Sequence, residues 1–158
     1  MTIKMMFDNA LSFCVEKTKQ GRNLILTSLH QGDKKTHSSF RYALAKQIVS
    51  YLNNTVNSCI KAAYIYGTVL EDRASFTSDI DMIIHINNGK EKLQQAIKKL
   101  DKKMLEHYKN FMGDRCEEMG HFLDIHIVND REIIERKGYG AMVTSIETPP
   151  IKIWTREG

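Results

Sequence analysis

The sequence predicts an α+β fold, in which a small mixed β-sheet carries helices packed on one face. Two segments, Arg41–Asn57 and Lys90–Met112, repeat apolar residues at steps of three and four, which is typical of amphipathic helices. Three short apolar runs bounded by polar loops have the length of buried strands, and they are Ala62–Tyr66, Ile80–Ile86 and Phe122–Val128. We therefore expect three neighbouring strands whose apolar face is covered by the two helices.

The residues before Arg41 predict a helical extension over about residues 5–35. Apolar positions from Met5 to Lys19 predict a first helix that ends at Gly21. The short apolar stretch Asn23–Leu29 does not distinguish a helix from a strand. The polar residues of Gln31–Ser39 predict an exposed loop, whose last serines, Ser38 or Ser39, would cap the helix that follows.

The C-terminal part predicts a short helix near Arg131–Lys137 and a late strand at Ile151–Trp154. Trp154 is expected to anchor the core rather than to stack on a base. The chain has 158 residues, without an internal repeat or a boundary in composition, so we expect a single domain over residues 1–158.

Composition and charge exclude several classes of protein. With 42% hydrophobic and 27% charged residues, the chain is neither disordered nor fibrous. No apolar run approaches 18 residues and no secretory signal precedes Asp8, so we expect no membrane span. Cys14, Cys59 and Cys116 form no CxxC pair, which indicates reduced thiols in a cytoplasmic protein. The net charge of +4 suits a nucleotide, but it suits many inert surfaces too, and nucleic acid is not an expected partner.

The most informative stretch contains two aspartates at the start of the second predicted strand. Because side chains alternate along a strand, Asp79 and Asp81 point to one face with Cα atoms about 6.5–7 Å apart. Two such carboxylates favour a cation between them, and hard oxygen ligands suit Mg²⁺. The alternative is a plain surface pair on an edge strand, which is the commoner explanation of an isolated Asp-x-Asp.

Three other residues favour a functional site over a surface pair. Gly67 ends the first predicted strand, and a glycine there allows a positive φ and a close approach to a ligand. If Val69 begins a helical turn, free N–H groups and the Thr68 hydroxyl would face an incoming phosphate. Asp124 interrupts the third apolar strand, where a lone carboxylate needs a partner or a metal.

The sequence resembles the nucleotidyltransferase superfamily of the polymerase-beta type. The resemblance lies in five residues that occur in the order of the family's motif, which are Gly67, Thr68, Asp79, Asp81 and Asp124. The family pattern is an apolar strand, Gly with Ser or Thr, about ten residues, Asp-x-Asp or Asp-x-Glu, and a third acid on a later strand. The string Ser78-Asp79-Ile80-Asp81-Met82-Ile83 is similar to that of the minimal and the antibiotic-modifying members. The resemblance covers residues 41–128, which would be the nucleotidyltransferase-like core.

The resemblance implies a nucleotidyltransferase that moves a nucleoside monophosphate from an NTP, by default ATP, to a hydroxyl of a small molecule or protein. It implies two Mg²⁺ or Mn²⁺ ions held by the catalytic residues, which would be Asp79, Asp81 and Asp124. It also implies nucleotide binding by a second set, Gly67, Thr68, Arg73 and Ser78. Asp124 would in addition take the proton from the acceptor hydroxyl.

The chain departs from the family pattern at two places. Minimal members often carry Arg and Gly where this chain has Glu71 and Asp72, and Arg73 would supply the missing charge. Larger members use a helical domain after the third acid, where this chain has 34 residues. The acceptor site would then come from the N-terminal 40 residues, from a homodimer or from a partner protein. The alternative function is a nucleotide-binding or antitoxin-like regulatory module with little or no turnover.

The histidines near the third acid are weaker candidates. His121, Asp124 and His126 form an H-x-x-D-x-H string, but alternation places His121 on the other face, so a zinc site is not expected. His126 is either a donor beside the metals or a half-buried structural residue. His85 shares the face of Asp81, but it lies about 13 Å further along and is expected to be structural.

Overall fold

Residues 1–57, 59–145 and 149–156 are described by the computed structural model, and they form six α-helices and four β-strands. In chain order these elements are α1 (Ile3–Thr18), α2 (Arg22–His30), α3 (Lys34–Thr55), β1 (Ile60–Tyr66), β2 (Ile80–Ile86), α4 (Lys90–Met112), β3 (Leu123–Val128), α5 (Asp130–Ile134), α6 (Tyr139–Val143) and β4 (Ile151–Thr155). Short 3₁₀ turns follow β1 and α4, at Gly67–Val69 and Gly113–Cys116.

The four strands form one mixed sheet in the order β3-β2-β1-β4. β1 pairs antiparallel with β2 and β4, whereas β2 and β3 are parallel and are joined by the crossover helix α4. The predicted α+β class is therefore confirmed, and the three predicted strands are neighbours. The register pairs Tyr66 with Asp81 and Asp81 with Asp124, so that these three side chains share one face of the sheet.

The long helices cover the other face, as predicted. Leu44, Ile48 and Leu52 of α3 are fully buried, as are Leu93 and Met104 of α4. They pack against the strand residues that alternate with the aspartates, such as Met82 and Ile84. Each such side chain contributes about 1.5–3 kcal/mol when it is removed from water, so this apolar layer is the main support of the sheet.

An aspartate of α4 fixes the beginning of β3. Asp101 Oδ1 accepts hydrogen bonds from the backbone N–H groups of Phe122 (2.7 Å) and Leu123 (2.9 Å). These two N–H groups lie at the entrance to the strand. The carboxylate on the helix therefore determines which residue enters the parallel pairing first.

The prediction of an exposed loop over Gln31–Ser39 is wrong. Helix α3 begins at Lys34 and is capped by Asp33, whose side chain accepts a hydrogen bond from Thr36 N at 3.0 Å. Ser38 and Ser39, predicted as caps, lie inside the helix and are buried. The polar run misled the prediction because these side chains are satisfied by tertiary partners; Ser38 Oγ, for example, accepts from Ala74 N at 3.0 Å.

The N-terminal helix is confirmed, and the untyped stretch Asn23–Leu29 lies within α2. Thr2 caps α1, and Lys19 ends it in the left-handed conformation. Met6 and Phe7 of α1 are buried in the same core as α3 and the sheet. The residues of the predicted extension therefore supply part of that core.

Two short helices lie over the face of the sheet that carries the aspartates. Asn129 and Glu132 form a capping box at α5, which overlaps the predicted helix Arg131–Lys137 but begins one residue earlier and ends at Ile134. Ile133 and Val143 pack on a small cluster of buried strand residues, which are Ala62, Tyr64, Ile83 and Val128. The predicted late strand is β4 at one edge, and its Trp154 packs against the main core. Among the described residues, no helix is long and apolar enough to cross a bilayer.

Candidate functional site

Three aspartates converge at one end of β2 and β3. Asp79 directly precedes β2, whereas Asp81 and Asp124 are the second residues of β2 and β3. One carboxylate oxygen of each lies within 4.8 Å of the others. The structure thus brings together the three acids that the sequence singled out. This arrangement results from the parallel register of β2 and β3, which places Asp81 and Asp124 side by side.

The cluster concentrates negative charge at a half-buried position. Burial, the charge of Asp79 and the contact with Asp124 together raise the pKa of Asp81 to about 7. Burial and the charges of Asp81 and Asp124 also raise the pKa of the Tyr66 hydroxyl beyond its ordinary value. Three hard-oxygen donors in mutual repulsion fit a divalent cation such as Mg²⁺, which would relieve that repulsion.

The turn after β1 approaches the acids so closely that only glycine fits there. Gly67 has a φ of +82°, and a Cβ at this position would overlap Asp81 Oδ2. This confirms the predicted positive φ, although the turn that follows is of the 3₁₀ type and begins at Gly67 itself. The next residue, Thr68, accepts a backbone hydrogen bond from Arg73 N at 2.9 Å, which closes the loop.

A cleft of about 470 Å³ opens beside the acids. Its lining includes Thr68, Ser78, Asp79, Asp81, Glu118 and His121. Of the predicted nucleotide-binding residues, Thr68 and Ser78 therefore border the same cavity as two of the acids. The Ser78 hydroxyl also accepts a hydrogen bond from Ser75 N at 2.9 Å, which keeps its side chain in the loop.

Arg73, which was predicted to bind nucleotide, is not among the residues that line this cleft. Its exposed guanidinium pairs with Glu71, with an Nε–Oε2 distance of 2.7 Å. Asp72 adopts a left-handed φ of +54°, as the sequence allowed, and its side chain is exposed. The charge expected from Arg73 is therefore directed to a neighbouring acid.

The structure corrects the position of His121. Because β3 begins only at Leu123, His121 precedes the strand and the alternation rule does not apply to it. Its Nδ1 lies 3.5 Å from Asp79 Oδ2. On the other side, His126 Nε2 lies 3.0 Å from Asp124 Oδ1. Asp79 and Asp124 are thus each contacted by a histidine.

An aromatic ring that sequence reasoning missed completes the Asp124 side. The ring of Tyr139 in α6 stacks on His126 with centroids 3.6 Å apart, and it lies 6.5 Å from the ring of Tyr66. No local pattern indicated this contact, because Tyr139 lies in a short helix outside the region of resemblance. The stack fixes the imidazole that touches Asp124.

Sequence reasoning also missed a buried arginine behind the loop that leads to Asp79. Arg41 has no solvent exposure, and its Nε donates to the carbonyl of Ser78 at 2.9 Å. Its Nη2 donates to the carbonyl of Phe76 (3.2 Å) and to the hydroxyl of Tyr108 (2.7 Å). Within the described parts of the chain, Arg41 has no carboxylate partner. A buried cation therefore orders the loop through its carbonyl groups.

His37 supports this arginine from one helical turn away. Its Nε2 donates to Leu29 O at 2.7 Å, which leaves Nδ1 to accept from Arg41 Nη1 at 2.9 Å. Burial and the charge of Arg41 lower the pKa of His37 to about 4, so its imidazole is neutral at pH 7. The four-residue spacing on one helix face is the only sequence signal that connects the two residues.

Comparisons with known proteins add no assignment to this geometry. No protein-family model matches the sequence, and neither a curated protein nor a solved structure is significantly similar to it.

Proposed function

We propose that the protein is a metal-dependent nucleotidyltransferase, which moves a nucleoside monophosphate from an NTP to an acceptor hydroxyl. The observation that carries the proposal is the convergence of Asp79, Asp81 and Asp124 within 4.8 Å. The Gly67–Thr68 turn lies against this cluster, and a cleft opens beside it. The order of these residues along the chain is what first indicated the same function.

The three acids would hold two Mg²⁺ or Mn²⁺ ions. When bound, such ions stabilise the charge that develops on a transferring phosphoryl group and on departing pyrophosphate. The donor set fits them, since it consists of carboxylate oxygens, and burial together with the two neighbouring acids raises the pKa of Asp81. ATP is the default donor, since no base-reading motif is visible.

The chain's own residues would orient the substrate and move one proton. The Gly67 backbone allows the phosphates to approach, and the Thr68 hydroxyl would donate to a phosphate oxygen. Asp124, oriented by His126, would accept the proton of the acceptor hydroxyl. The acceptor oxygen then bonds to the α-phosphorus, and the bond to the bridging oxygen breaks, so pyrophosphate leaves with that electron pair.

A second candidate function is nucleotide binding by a regulatory, antitoxin-like module with little turnover. The observation that favours it is the pairing of Arg73 with Glu71, because no lysine or arginine lines the described part of the cleft beside the acids. Nucleotidyl transfer ordinarily needs positive charge near the triphosphate. For the transferase, a homodimer or a partner protein would complete the acceptor site.

Release of labelled pyrophosphate from each NTP, with Mg²⁺ or Mn²⁺, tests the proposal. Asp79→Asn and Asp81→Asn should each abolish release, whereas the matched control Asp8→Asn, on α1, should not. Release that is unchanged in both site variants would exclude the proposed site. NTP binding that depends on the three acids, without any release, would instead support the regulatory module.

A further inference from the structure

A second cleft, of about 500 Å³, lies on the aspartate face but further along the strands. Its polar lining comes from β1, β2, β4 and the residue that follows β4, and it includes Lys61, His85, Lys152 and Arg156. Its apolar wall is formed by Tyr64 together with Ile133 and Val143. Because His85 follows Asp81 by four residues on β2, the cleft lies about 13 Å from the aspartate cluster. It is therefore a separate site.

The charge around this second cleft is predominantly positive. Asp130 pairs with Lys61 Nζ at 2.9 Å and with His85 Nε2 at 2.5 Å, so a single carboxylate is the ion-pair partner of both side chains. Lys152 and Arg156 have no acidic partner within residues 1–57, 59–145 and 149–156. The Lys152 ammonium lies over the ring of Tyr64, 5.6 Å from its centroid. Two basic side chains without a carboxylate partner among the described residues thus lie beside an apolar wall.

An unpartnered donor points to a missing acceptor here. Arg156 Nη2 is buried without any hydrogen-bond partner, and in the described chain only Asn53 Oδ1 shares this condition. The Arg156 backbone is fixed, since its N–H donates to Lys61 O at 2.9 Å. A buried N–H without an acceptor destabilises the protein, and the effect is larger when the group is charged. A guanidinium fits the paired oxygens of a phosphate or a carboxylate.

We propose that this cleft binds the phosphate or carboxylate group of a small molecule whose apolar part rests on Tyr64. Arg156 and Lys152 would hold the anionic group, and a ligand oxygen would supply the acceptor that Arg156 lacks. The apolar part would lie between Tyr64, Ile133 and Val143. This inference does not depend on the proposed nucleotidyl transfer, because none of these residues belongs to the aspartate cluster.

Four probes test the site by calorimetric titration of the full chain in EDTA: inorganic phosphate, phenyl phosphate, benzoate and benzyl alcohol. We expect phenyl phosphate to bind more tightly than inorganic phosphate, and benzyl alcohol not to bind. A comparison of phenyl phosphate with benzoate then distinguishes a phosphate ligand from a carboxylate ligand. Absence of binding by every anion, or equal binding of benzyl alcohol, would overturn the proposal.

Substitutions locate the binding. Arg156→Gln and Lys152→Gln should each weaken phenyl phosphate binding about tenfold or more, since each substitution removes a charged hydrogen bond to the anionic group. Arg156→Lys should retain part of the affinity, and Lys102→Gln, an exposed charge on α4, should leave it unchanged. Unchanged affinity in Arg156→Gln would refute the location. Loss in Asp81→Asn would also refute it, because the probe would then bind at the aspartates.

Discussion

Neutralising Asp81 should stabilise the metal-free protein at high pH. Burial and the two neighbouring acids raise the pKa of Asp81 from 3.8 to about 7, so the folded chain binds this proton more tightly than the unfolded chain. The stability that comes from protonation is present at low pH and is lost as the pH rises through about 7. At pH 8, the folded protein therefore carries an electrostatic cost that Asp81→Asn removes.

The size of this effect follows from the same pKa. A change from 3.8 to about 7 corresponds to about 4 kcal/mol if it is fully expressed. Because Asp81 is only half-buried, solvent screening reduces this value, and we expect Asp81→Asn to raise the free energy of unfolding by about 2 kcal/mol at pH 8. At pH 4 the gain should nearly disappear, because the wild-type carboxyl is then protonated in the folded state.

Urea denaturation in EDTA, at pH 4 and pH 8, measures the difference between the two proteins. Added Mg²⁺ should then reverse the order at pH 8, since saturation at one hundred times the Kd stabilises the wild type by about 2.7 kcal/mol. The control Asp8→Asn removes only an exposed pair with Arg22 and should show no gain at either pH. If Asp81→Asn destabilised the metal-free protein more at pH 8 than at pH 4, the reasoning would be refuted.

Three further changes test the supports of the site. Gly67→Ala should lower the free energy of unfolding by about 1–3 kcal/mol, because alanine disfavours the positive φ and its Cβ would overlap Asp81. Calorimetry should also show weaker Mg²⁺ binding. Unchanged stability and Mg²⁺ binding would contradict the close approach of Gly67 to Asp81. The contribution of His37 to stability should be about 2 kcal/mol smaller at pH 4 than at pH 6.5, because its buried imidazole must take up a proton, whereas the contribution of Asp81 changes in the opposite direction. Urea denaturation of His37→Gln at both pH values, compared with the wild type, should show the loss of the His37 part alone. Arg41→Met should cost about 3–5 kcal/mol in thermal denaturation, whereas the exposed Lys46→Met should cost little; equal effects would exclude the buried network.

The strands could be predicted because they follow from local patterns, whereas the convergence of the three acids was expected only from the family resemblance. The alternation of Asp81 with apolar neighbours predicted both a strand and the face on which the acid lies. The interruption of an apolar run by Asp124 predicted the third acid in the same way. The pattern predicted neighbouring strands, but it could not give the parallel direction and the register of β2 and β3, which depend on the crossover through α4.

The buried polar network could not be predicted, because its partners are distant in the sequence. In the sequence alone, Arg41 has the pattern of a solvated residue on an amphipathic helix. Its partners, the carbonyl of Ser78 and the hydroxyl of Tyr108, lie far from it along the chain. The same limitation produced the wrong loop before α3, where His37 is polar and yet fully buried. The error at His121 had another cause, since the rule of alternation was extended to a residue that precedes even the predicted strand, Phe122–Val128.

The contact between Asp101 and the start of β3 has a consequence for any metal chemistry. A slip of β3 by a single residue would keep an apolar strand beside β2, but it would replace Asp124 with Leu123 or Ile125 opposite Asp81. Asp101, a side chain of the helical layer, opposes that slip by holding two N–H groups in place. The chemical identity of a ligand position would thus be guaranteed by a carboxylate that never meets the ligand.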